Sequence, residues 1–185
     1  MTLSVRKAQA RKAAFARRKE AKSPERDARA ITELLKVLIP HQGHPIAGYM
    51  PIRTEVDPLP VMAAMASFGP VCVPVISRPD APLKFREWSL GCTMIDGAFG
   101  AQIPQAGLWV TPEVLIVPLV AFDRKGGRLG YGGGFYDRTL EGLRAAGPVT
   151  AYGYAFAAQE AKGLPLEPTD QPLDGIVTED GLITP

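Results

Sequence analysis

The stretch VPLVAFDRKGGRLGYGGGFYDR, Val117–Arg138, carries the strongest structural signal in the chain. It opens with an apolar run that predicts a buried strand and continues into Asp123 and a basic turn. Four glycines then fall within five residues, at positions 130 and 132–134, and a helical pattern runs on to Gly147. A strand, a glycine loop and a helix start in this order are typical of α/β proteins, which place ligands at the carboxyl edge of a parallel sheet.

The glycine loop has the composition of an anion-binding segment. Closely spaced glycines let backbone N–H groups approach an anion without Cβ atoms in the way, and Arg128 and Arg138 flank them. A helix that begins near Asp137 would point the positive end of its dipole at the same place. The loop is not a Walker A motif, because no Gly-Lys-Ser/Thr follows, and Phe135 stands where a GxGxxG motif needs its third glycine. These features favour a phosphate site, with a glycine turn that binds no ligand as the alternative.

Strand and helix patterns alternate through the rest of the chain. Strands are expected at Ile46–Met50, Val71–Ile76, Leu83–Trp88, Val114–Val120, Val149–Phe156 and Gly175–Thr178. Helices are expected at about Leu3–Ala21, from Pro24 (with Ser23 as N-cap) to just before Pro40, and after Asp57-Pro58 with Val61, Met62, Met65 and Phe68 on one face. This alternation predicts an α/β fold: one three-layer domain over residues 1–185, with a mostly parallel sheet and a basic amino-terminal helix.

Composition excludes several classes of protein. With 46% hydrophobic and 22% charged residues in 185, the chain resembles ordinary globular proteins and not disordered ones. Its most apolar run, Val114–Phe122, contains a proline and is far shorter than the roughly 20 residues that a membrane-spanning helix needs. Two cysteines, Cys72 and Cys92, and two histidines supply neither a disulfide framework nor a zinc site. We therefore expect a cytoplasmic protein that does not bind membranes.

The positive charge is concentrated at the amino terminus. Residues 1–29 contain ten Lys/Arg and three Asp/Glu, whereas residues 30–185 contain eleven and sixteen. Lys7, Arg11 and Arg18 recur at helical spacing and define one basic face. Such a face is typical of a solvated surface helix, a nucleic-acid-binding arm or a clamp on phosphate. A transit peptide is disfavoured by the acidic residues at positions 20, 25 and 27.

The string RLGYGGGFYDR, preceded by LIVPLVAFD, resembles the signature of the 5-formyltetrahydrofolate cyclo-ligases, also called methenyltetrahydrofolate synthetases. Three further segments agree in order and spacing. Lys7–Arg11 is similar to the family's ATP-contacting start, Gly48–Pro58 (GYMPIRTEVDP) to its folate-contacting segment, and Pro172–Glu179 (PLDGIVTE) to its closing strand. The resemblance covers nearly the whole chain.

The resemblance implies ATP- and Mg²⁺-dependent cyclisation of 5-formyltetrahydrofolate to 5,10-methenyltetrahydrofolate, with release of ADP and phosphate. Its partners are then these two substrates, with no nucleic acid, and we expect a monomer. Implied ATP contacts are Lys7, Arg11, Arg128, Gly130, Gly132, Gly133, Gly134, Phe135 and Tyr136; folate contacts are Met50, Glu55 and Tyr131; Mg²⁺ ligands are Asp137 and Asp174. Arg128 and Tyr136 are the expected catalytic residues, and substitution of Arg128 or Asp137 by Ala should depress turnover far more than stability. The Glu55 carboxylate suits the paired N–H donors of an aminopyrimidinone ring.

Some positions depart from the family pattern. Tyr131 and Gly133 stand where some relatives carry a basic residue. The positive charge that neutralises the phosphates must then come from Arg128, Lys7, Arg11 and the metal ion. Ala101 stands where some relatives have an aromatic residue in the folate pocket, and Phe99 or Trp109 is a candidate replacement. Three other functions stay open: a relative that binds folate or nucleotide without turnover, a nucleic-acid-binding protein, and an isomerase or CoA-transferase-like protein of similar architecture.

Overall fold

A computed structural model describes residues 2–185. The helices are α1 Leu3–Ala21, α2 Pro24–Leu38, α3 Leu59–Met65 and α4 Phe135–Ala146. The strands are β1 Ile46–Ala47, β2 Val71–Val75, β3 Lys84–Glu87, β4 Met94–Asp96, β5 Gln102–Pro104, β6 Val114–Pro118, β7 Ala121–Phe122, β8 Arg128–Leu129, β9 Thr150–Tyr154, β10 Gly175–Thr178 and β11 Gly181–Ile183. Short 3₁₀ turns cover Ile39–His41, Ala98–Gly100 and Ala157–Gln159.

Seven strands form the main sheet in the order β11-β10-β9-β6-β1-β2-β3. The five central strands pair in parallel, and only the two edge strands, β3 and β11, are antiparallel to their neighbours. Two hairpins, β4–β5 and β7–β8, form separate two-stranded sheets. The α/β fold with a mostly parallel sheet is therefore confirmed.

The central strands are buried on both faces, which produces three layers. Successive residues of β6 alternate: Ile116 joins the core cluster that contains Leu34 of α2 and Met62 of α3, whereas Leu115 joins the cluster that contains Leu140 of α4. Such strands read as continuous apolar runs, as β6 does. Helices α2 and α3 thus cover one face and α4 the other.

Helix α1 has the bounds expected from the sequence, and small residues decide where it packs. Ala14 is fully buried against Val120, Ala121 and Leu129, next to the β7–β8 hairpin. Ala14 has no bulk beyond Cβ, so the helix backbone can approach the hairpin that leads into the glycine loop. The basic face of α1 therefore lies beside that loop. Over residues 2–185, no helix combines the length and the apolar composition needed to cross a membrane.

Several expectations about local structure were wrong. Only Ile46 and Ala47 of the predicted strand Ile46–Met50 pair in the sheet. Phe68 is 54% exposed and does not share the buried face of α3, because the helix ends at Met65 and the chain turns before Phe68. The short hairpins β4–β5 and β7–β8 and the edge strand β11 were not predicted, since strands of two or three residues carry too little periodicity to be recognised.

Candidate functional site

The glycine loop ends in a helix start that has free backbone donors. Helix α4 begins at Phe135, two residues before the expected Asp137, and its N-cap is Gly134 with a left-handed φ of 65°. Gly134 has no side chain to accept from the N–H groups of the first turn. These donors and the positive end of the helix dipole face the loop, an arrangement that suits phosphate oxygens.

Two arginines are held against the loop by its own carbonyl groups. Arg11 Nε donates to the Gly130 carbonyl oxygen at 2.7 Å, and Arg138 Nη2 donates to that of Gly133 at 2.7 Å. A Cβ added at Gly132 would lie 3.4 Å from Arg11 Nη2, so the guanidinium rests directly on the loop backbone. Helix α1 thus supplies positive charge to the glycine loop from a distant part of the sequence.

Arg128 and Asp137 form a largely buried ion pair beneath the loop. Arg128 Nη2 lies 2.8 Å from Asp137 Oδ1, and the two side chains are 5% and 21% exposed. The same oxygen accepts from the backbone N–H of Gln171 at 2.9 Å. Arg128 Nε is buried without a hydrogen-bond partner among residues 2–185. This ion pair joins β8 to the first turn of α4 and fixes the geometry of the loop between them.

Lys7 lies against two carboxylates that the sequence analysis missed. Its Nζ is 2.5 Å from Glu167 Oε2 and 3.1 Å from Asp170 Oδ2. Burial acts to lower the pKa of Lys7, but hydrogen bonds to both carboxylates and their charges outweigh burial and raise it. Asp170 adjoins Gln171, whose backbone binds Asp137, so Asp170 belongs to the same site as Asp137. The Pro-rich segment that carries it showed no motif by which it could be recognised.

Asp174, the second Mg²⁺ ligand that the resemblance implies, is hydrogen-bonded within the protein. Its Oδ2 accepts from Arg144 Nη2 at 3.0 Å and from the Ala151 backbone N–H at 2.7 Å. Arg144 lies in the last turn of α4, about 10 Å along the helix axis from Asp137. Residues 2–185 contain no cluster of three or more His, Cys, Asp or Glu side chains suited to a metal. Asp174 thus ties α4 to β9, whereas Asp170 adjoins Gln171, whose backbone N–H binds Asp137.

A buried carboxylate lies on the other side of the glycine loop. Glu55 is 5% exposed; its Oε2 accepts from the Ile52 backbone N–H at 2.9 Å and its Oε1 from the Tyr131 hydroxyl at 3.0 Å. Burial raises the pKa of Glu55, and these hydrogen bonds and the charges of Arg18 and Arg53 oppose the rise. The structure thus brings Glu55 and Tyr131, two of the expected folate contacts, into direct contact.

Arg18 is the most deeply buried charged residue near Glu55, with 1% exposure. Its Nε donates to Thr54 Oγ1 at 3.0 Å and its Nη2 to the Tyr131 hydroxyl at 3.1 Å. The Phe15 and Tyr131 rings flank the guanidinium at 5.2 and 5.9 Å. The sequence placed Arg18 on the basic face with Lys7 and Arg11, but it did not indicate that the side chain is buried.

Tyr136 and Met50, two further candidate site residues, are both partly buried. The Tyr136 hydroxyl is buried without a hydrogen-bond partner among residues 2–185, and burial raises the pKa of Tyr136 far above its ordinary value. The hydroxyl therefore stays protonated and is free to donate. Met50 is half-buried and packs against the core cluster of α2 and α3.

The aromatic candidates for the folate pocket lie in different places. Phe99, at the tip of the β4–β5 hairpin, is 77% exposed and its ring centroid lies 6.2 Å from that of Phe135. The Phe135 ring also lies 5.1 Å from the Arg138 guanidinium. Trp109 is covered by Arg86 at 4.3 Å. Phe99 is therefore the aromatic candidate next to the glycine loop.

Much of the basic charge of α1 is used within the molecule. Besides Lys7, Arg11 and Arg18, Arg17 donates to the Ala158 carbonyl oxygen and Lys22 to that of Glu55. These contacts favour the clamp interpretation of the helix over an arm that extends towards nucleic acid.

Fold and site together define an α/β protein with a glycine loop, flanked by arginines and a helix N-terminus, beside a buried carboxylate. A family model described as the 5-formyltetrahydrofolate cyclo-ligase family matches residues 3–179, and the chain belongs to that family.

Individual relatives agree with this family assignment. The 5-formyltetrahydrofolate cyclo-ligase of Haemophilus influenzae is 48% identical over 104 residues, which cover 54% of this chain and 49% of the relative. The aligned part thus spans about half the length of that relative. The Mycolicibacterium smegmatis enzyme of the same name is 29% identical over 147 residues, 74% of either chain. The solved Aquifex aeolicus 5,10-methenyltetrahydrofolate synthetase superposes with a TM-score of 0.78 at 28% identity, covering 96% of this chain and 92% of its own.

Proposed function

We propose that this protein converts 5-formyltetrahydrofolate to 5,10-methenyltetrahydrofolate, using ATP with Mg²⁺ and releasing ADP and phosphate. The family assignment supports the reaction, and the site supports the way it is carried out. The observation that carries the proposal is the hydrogen bond from the Tyr131 hydroxyl to Glu55. It joins the anion-binding loop to the buried carboxylate, so a nucleotide phosphate and a folate ring can lie side by side.

The folate ring has a matching partner in Glu55. A carboxylate accepts two hydrogen bonds from the 2-amino group and the adjacent ring N–H of the pterin. Within the protein, one oxygen of Glu55 already receives the Ile52 N–H and the other the Tyr131 hydroxyl, which fixes its orientation. Met50 offers a polarizable edge to a flat ring in the same segment. The formyl group at N5 is then directed towards the glycine loop.

The first chemical step is phosphoryl transfer to the formyl oxygen. That oxygen attacks the γ-phosphorus, the bond to the β,γ-bridging oxygen breaks, and ADP leaves. Such transfers need alignment and neutralised charge and little covalent help from the protein. Lys7, Arg11, Arg128 and the backbone N–H groups at the start of α4 supply positive charge and donors of this kind.

The second step closes the ring. N10 of the folate attacks the activated formyl carbon, a C–N bond forms, N10 loses its proton and phosphate leaves with the former formyl oxygen. Tyr136 is protonated and its hydroxyl has no partner among the described residues, so it can donate to the departing oxygen but cannot act as a base. Tyr136 therefore has a role as a hydrogen-bond donor.

Asp137 and Asp170 are the residues that would hold Mg²⁺. Both offer carboxylate oxygens, the ligands that this ion prefers, and Asp137 accepts from the backbone N–H of Gln171, the residue next to Asp170. The ion would supply further positive charge to the phosphates. Because the proposed contacts run from Lys7 to Asp170, we also propose that residues 1–185 form one catalytic domain and that a monomer is sufficient.

A direct assay tests the reaction. Purified protein, 5-formyltetrahydrofolate and Mg-ATP should produce the near-ultraviolet absorbance of the methenyl product, and the signal should be lost without ATP or with excess EDTA. Glu55→Gln should weaken folate binding, because a neutral amide cannot accept both pterin hydrogen bonds. Folded protein that binds either substrate without turnover would favour the non-catalytic relative, and absence of binding would refute the proposal.

A further inference from the structure

Arg18 carries a buried charge without an ion-pair partner. Among residues 2–185, no carboxylate oxygen lies within ion-pairing distance of its guanidinium. Its Nη1 is buried and has no hydrogen-bond partner there either. The other guanidinium nitrogens bind only the Thr54 and Tyr131 hydroxyls. A buried charge is unfavourable unless the surroundings compensate it, so its place beside the folate segment requires an explanation.

The explanation lies in the chain of contacts from Arg18 to Glu55. Arg18 Nη2 donates to the Tyr131 hydroxyl, which leaves the hydroxyl proton free to be donated to Glu55 Oε1. The Tyr131 hydroxyl is therefore fixed in direction by one charged donor and one charged acceptor. Without the guanidinium, the hydroxyl would lose its donor and the carboxylate its nearest buried positive charge.

We propose that Arg18 is a positioning residue for folate binding: it orients the Tyr131 hydroxyl towards Glu55 and compensates the charge of the buried Glu55 carboxylate. It acts through these two residues and not by contact with the reacting atoms. Its role in folate binding rests on the proposed function, whereas its effect on Glu55 belongs to the ligand-free protein.

Other charged and titratable groups also lie near Glu55. Arg53, in the same segment, opposes the rise in the pKa of Glu55, as Arg18 does. Lys22, the C-cap residue of α1, donates to the Glu55 carbonyl oxygen. Burial raises the pKa values of Tyr49 and Tyr136, and the nearby Glu55 charge raises both further. Arg53 also lies 5.9 Å from the Tyr131 ring, but among these cations it is Arg18 that donates a hydrogen bond to the Tyr131 hydroxyl.

The direct test is to measure the pKa of Glu55 in the ligand-free protein by a ¹³C NMR titration of its carboxyl carbon. The resonance of Glu55 is assigned by its absence from Glu55→Gln. Arg18→Met removes the charge and retains a long apolar side chain. Loss of a nearby positive charge favours the protonated acid, so the pKa of Glu55 should rise by about one to two units. In Arg18→Lys the pKa of Glu55 should lie close to its wild-type value, because the positive charge is retained. Lys19→Met removes an equal charge at an exposed position of the same helix and should leave the pKa of Glu55 unchanged.

Folate binding supplies the second measurement. The affinity of wild-type protein for 5-formyltetrahydrofolate should fall as pH decreases through the pKa of Glu55, and Arg18→Met should move that fall to higher pH. Below both midpoints Arg18→Met should bind about ten- to a hundredfold more weakly, the affinity ratio that a pKa shift of one to two units gives, and the difference should shrink as the pH rises above both midpoints. Tyr131→Phe, which removes only an oxygen from a partly exposed residue, should shift the same midpoint upwards and provides the test if Arg18→Met does not fold.

The outcomes separate the two proposals. An unchanged pKa of Glu55 in folded Arg18→Met, or in Tyr131→Phe if the former does not fold, would overturn the role of Arg18. Weaker folate binding by the same factor at every pH would overturn it too, because that is the signature of a merely structural residue. A raised pKa in the variants together with no folate binding by wild-type protein would refute the proposed function and, with it, the folate part of this inference.

Discussion

Arg128→Met tests whether the residues beneath the glycine loop have a structural role as well as a functional one. From the sequence, Arg128 was expected to affect turnover far more than stability. In the structure its side chain is 5% exposed and lies 2.8 Å from Asp137, which ties β8 to α4. Methionine fills similar space but cannot pair, so the Asp137 carboxylate would remain with the Gln171 N–H as its only donor among the described residues. We therefore predict a loss of both stability and turnover.

The expected magnitude follows from the burial of the two partners. Removing one member of a fully buried ion pair costs about 3–5 kcal/mol, and a charge-assisted hydrogen bond is worth about 1.5–3 kcal/mol. Asp137 is 21% exposed and keeps its bond from Gln171, so water can solvate part of the orphaned charge. We expect about 2–3 kcal/mol for Arg128→Met, which is a fall in Tm of roughly 5–10 °C for a domain of this size.

A double-mutant cycle isolates the pair from other effects of the substitution. Urea unfolding of wild type, Arg128→Met, Asp137→Asn and the double variant should show a coupling free energy of about 1–2 kcal/mol. The double variant should lose less unfolding free energy than the two single variants lose together, because neither charge is then buried without its partner. A coupling free energy below about 0.5 kcal/mol would refute the stabilising role of the Arg128–Asp137 ion pair, and Arg128 would then have a functional role only.

Two further predictions concern Gly126, whose backbone is in the left-handed region, and the two cysteine thiols. Gly126 has a φ of 80°, and an added Cβ would lie 2.6 Å from the Leu173 carbonyl oxygen, so Gly126→Ala should lose about 2–4 kcal/mol in urea unfolding. Gly163→Ala, with positive φ but open space, should lose only about 1 kcal/mol, and equal losses would contradict the steric argument. Burial raises the pKa of Cys72 to about 12, so at pH 8 it stays a protonated, unreactive thiol, whereas Cys92 is partly exposed. A thiol reagent should modify one cysteine in native protein and two after unfolding; rapid modification of both in native protein would contradict this.

Local sequence determined the parts of the fold whose signals lie within a few residues. The bounds of α1 follow from a run of good helix formers, and α2 begins as expected because the Ser23 hydroxyl accepts from the Arg26 N–H with Pro24 at the first position. Apolar runs marked the central strands, since a strand covered on both faces needs apolar residues at every position. The glycine loop was recognisable because four glycines fall within five residues, a local density that exposes backbone donors.

The tertiary structure alone decided which distant side chains meet. Tyr131 and Glu55 are 76 residues apart, Arg18 and Tyr131 are 113 apart, and Lys7 and Asp170 are 163 apart. Asp174 shares its segment with Asp170, yet only Asp170 reaches Lys7, because Asp174 is held by Arg144 and β9 at the other end of α4. No periodicity or spacing records such pairings. Burial of the Arg18 side chain depends on how α1 packs against the β7–β8 hairpin and its surroundings, and such packing exists only in the folded chain.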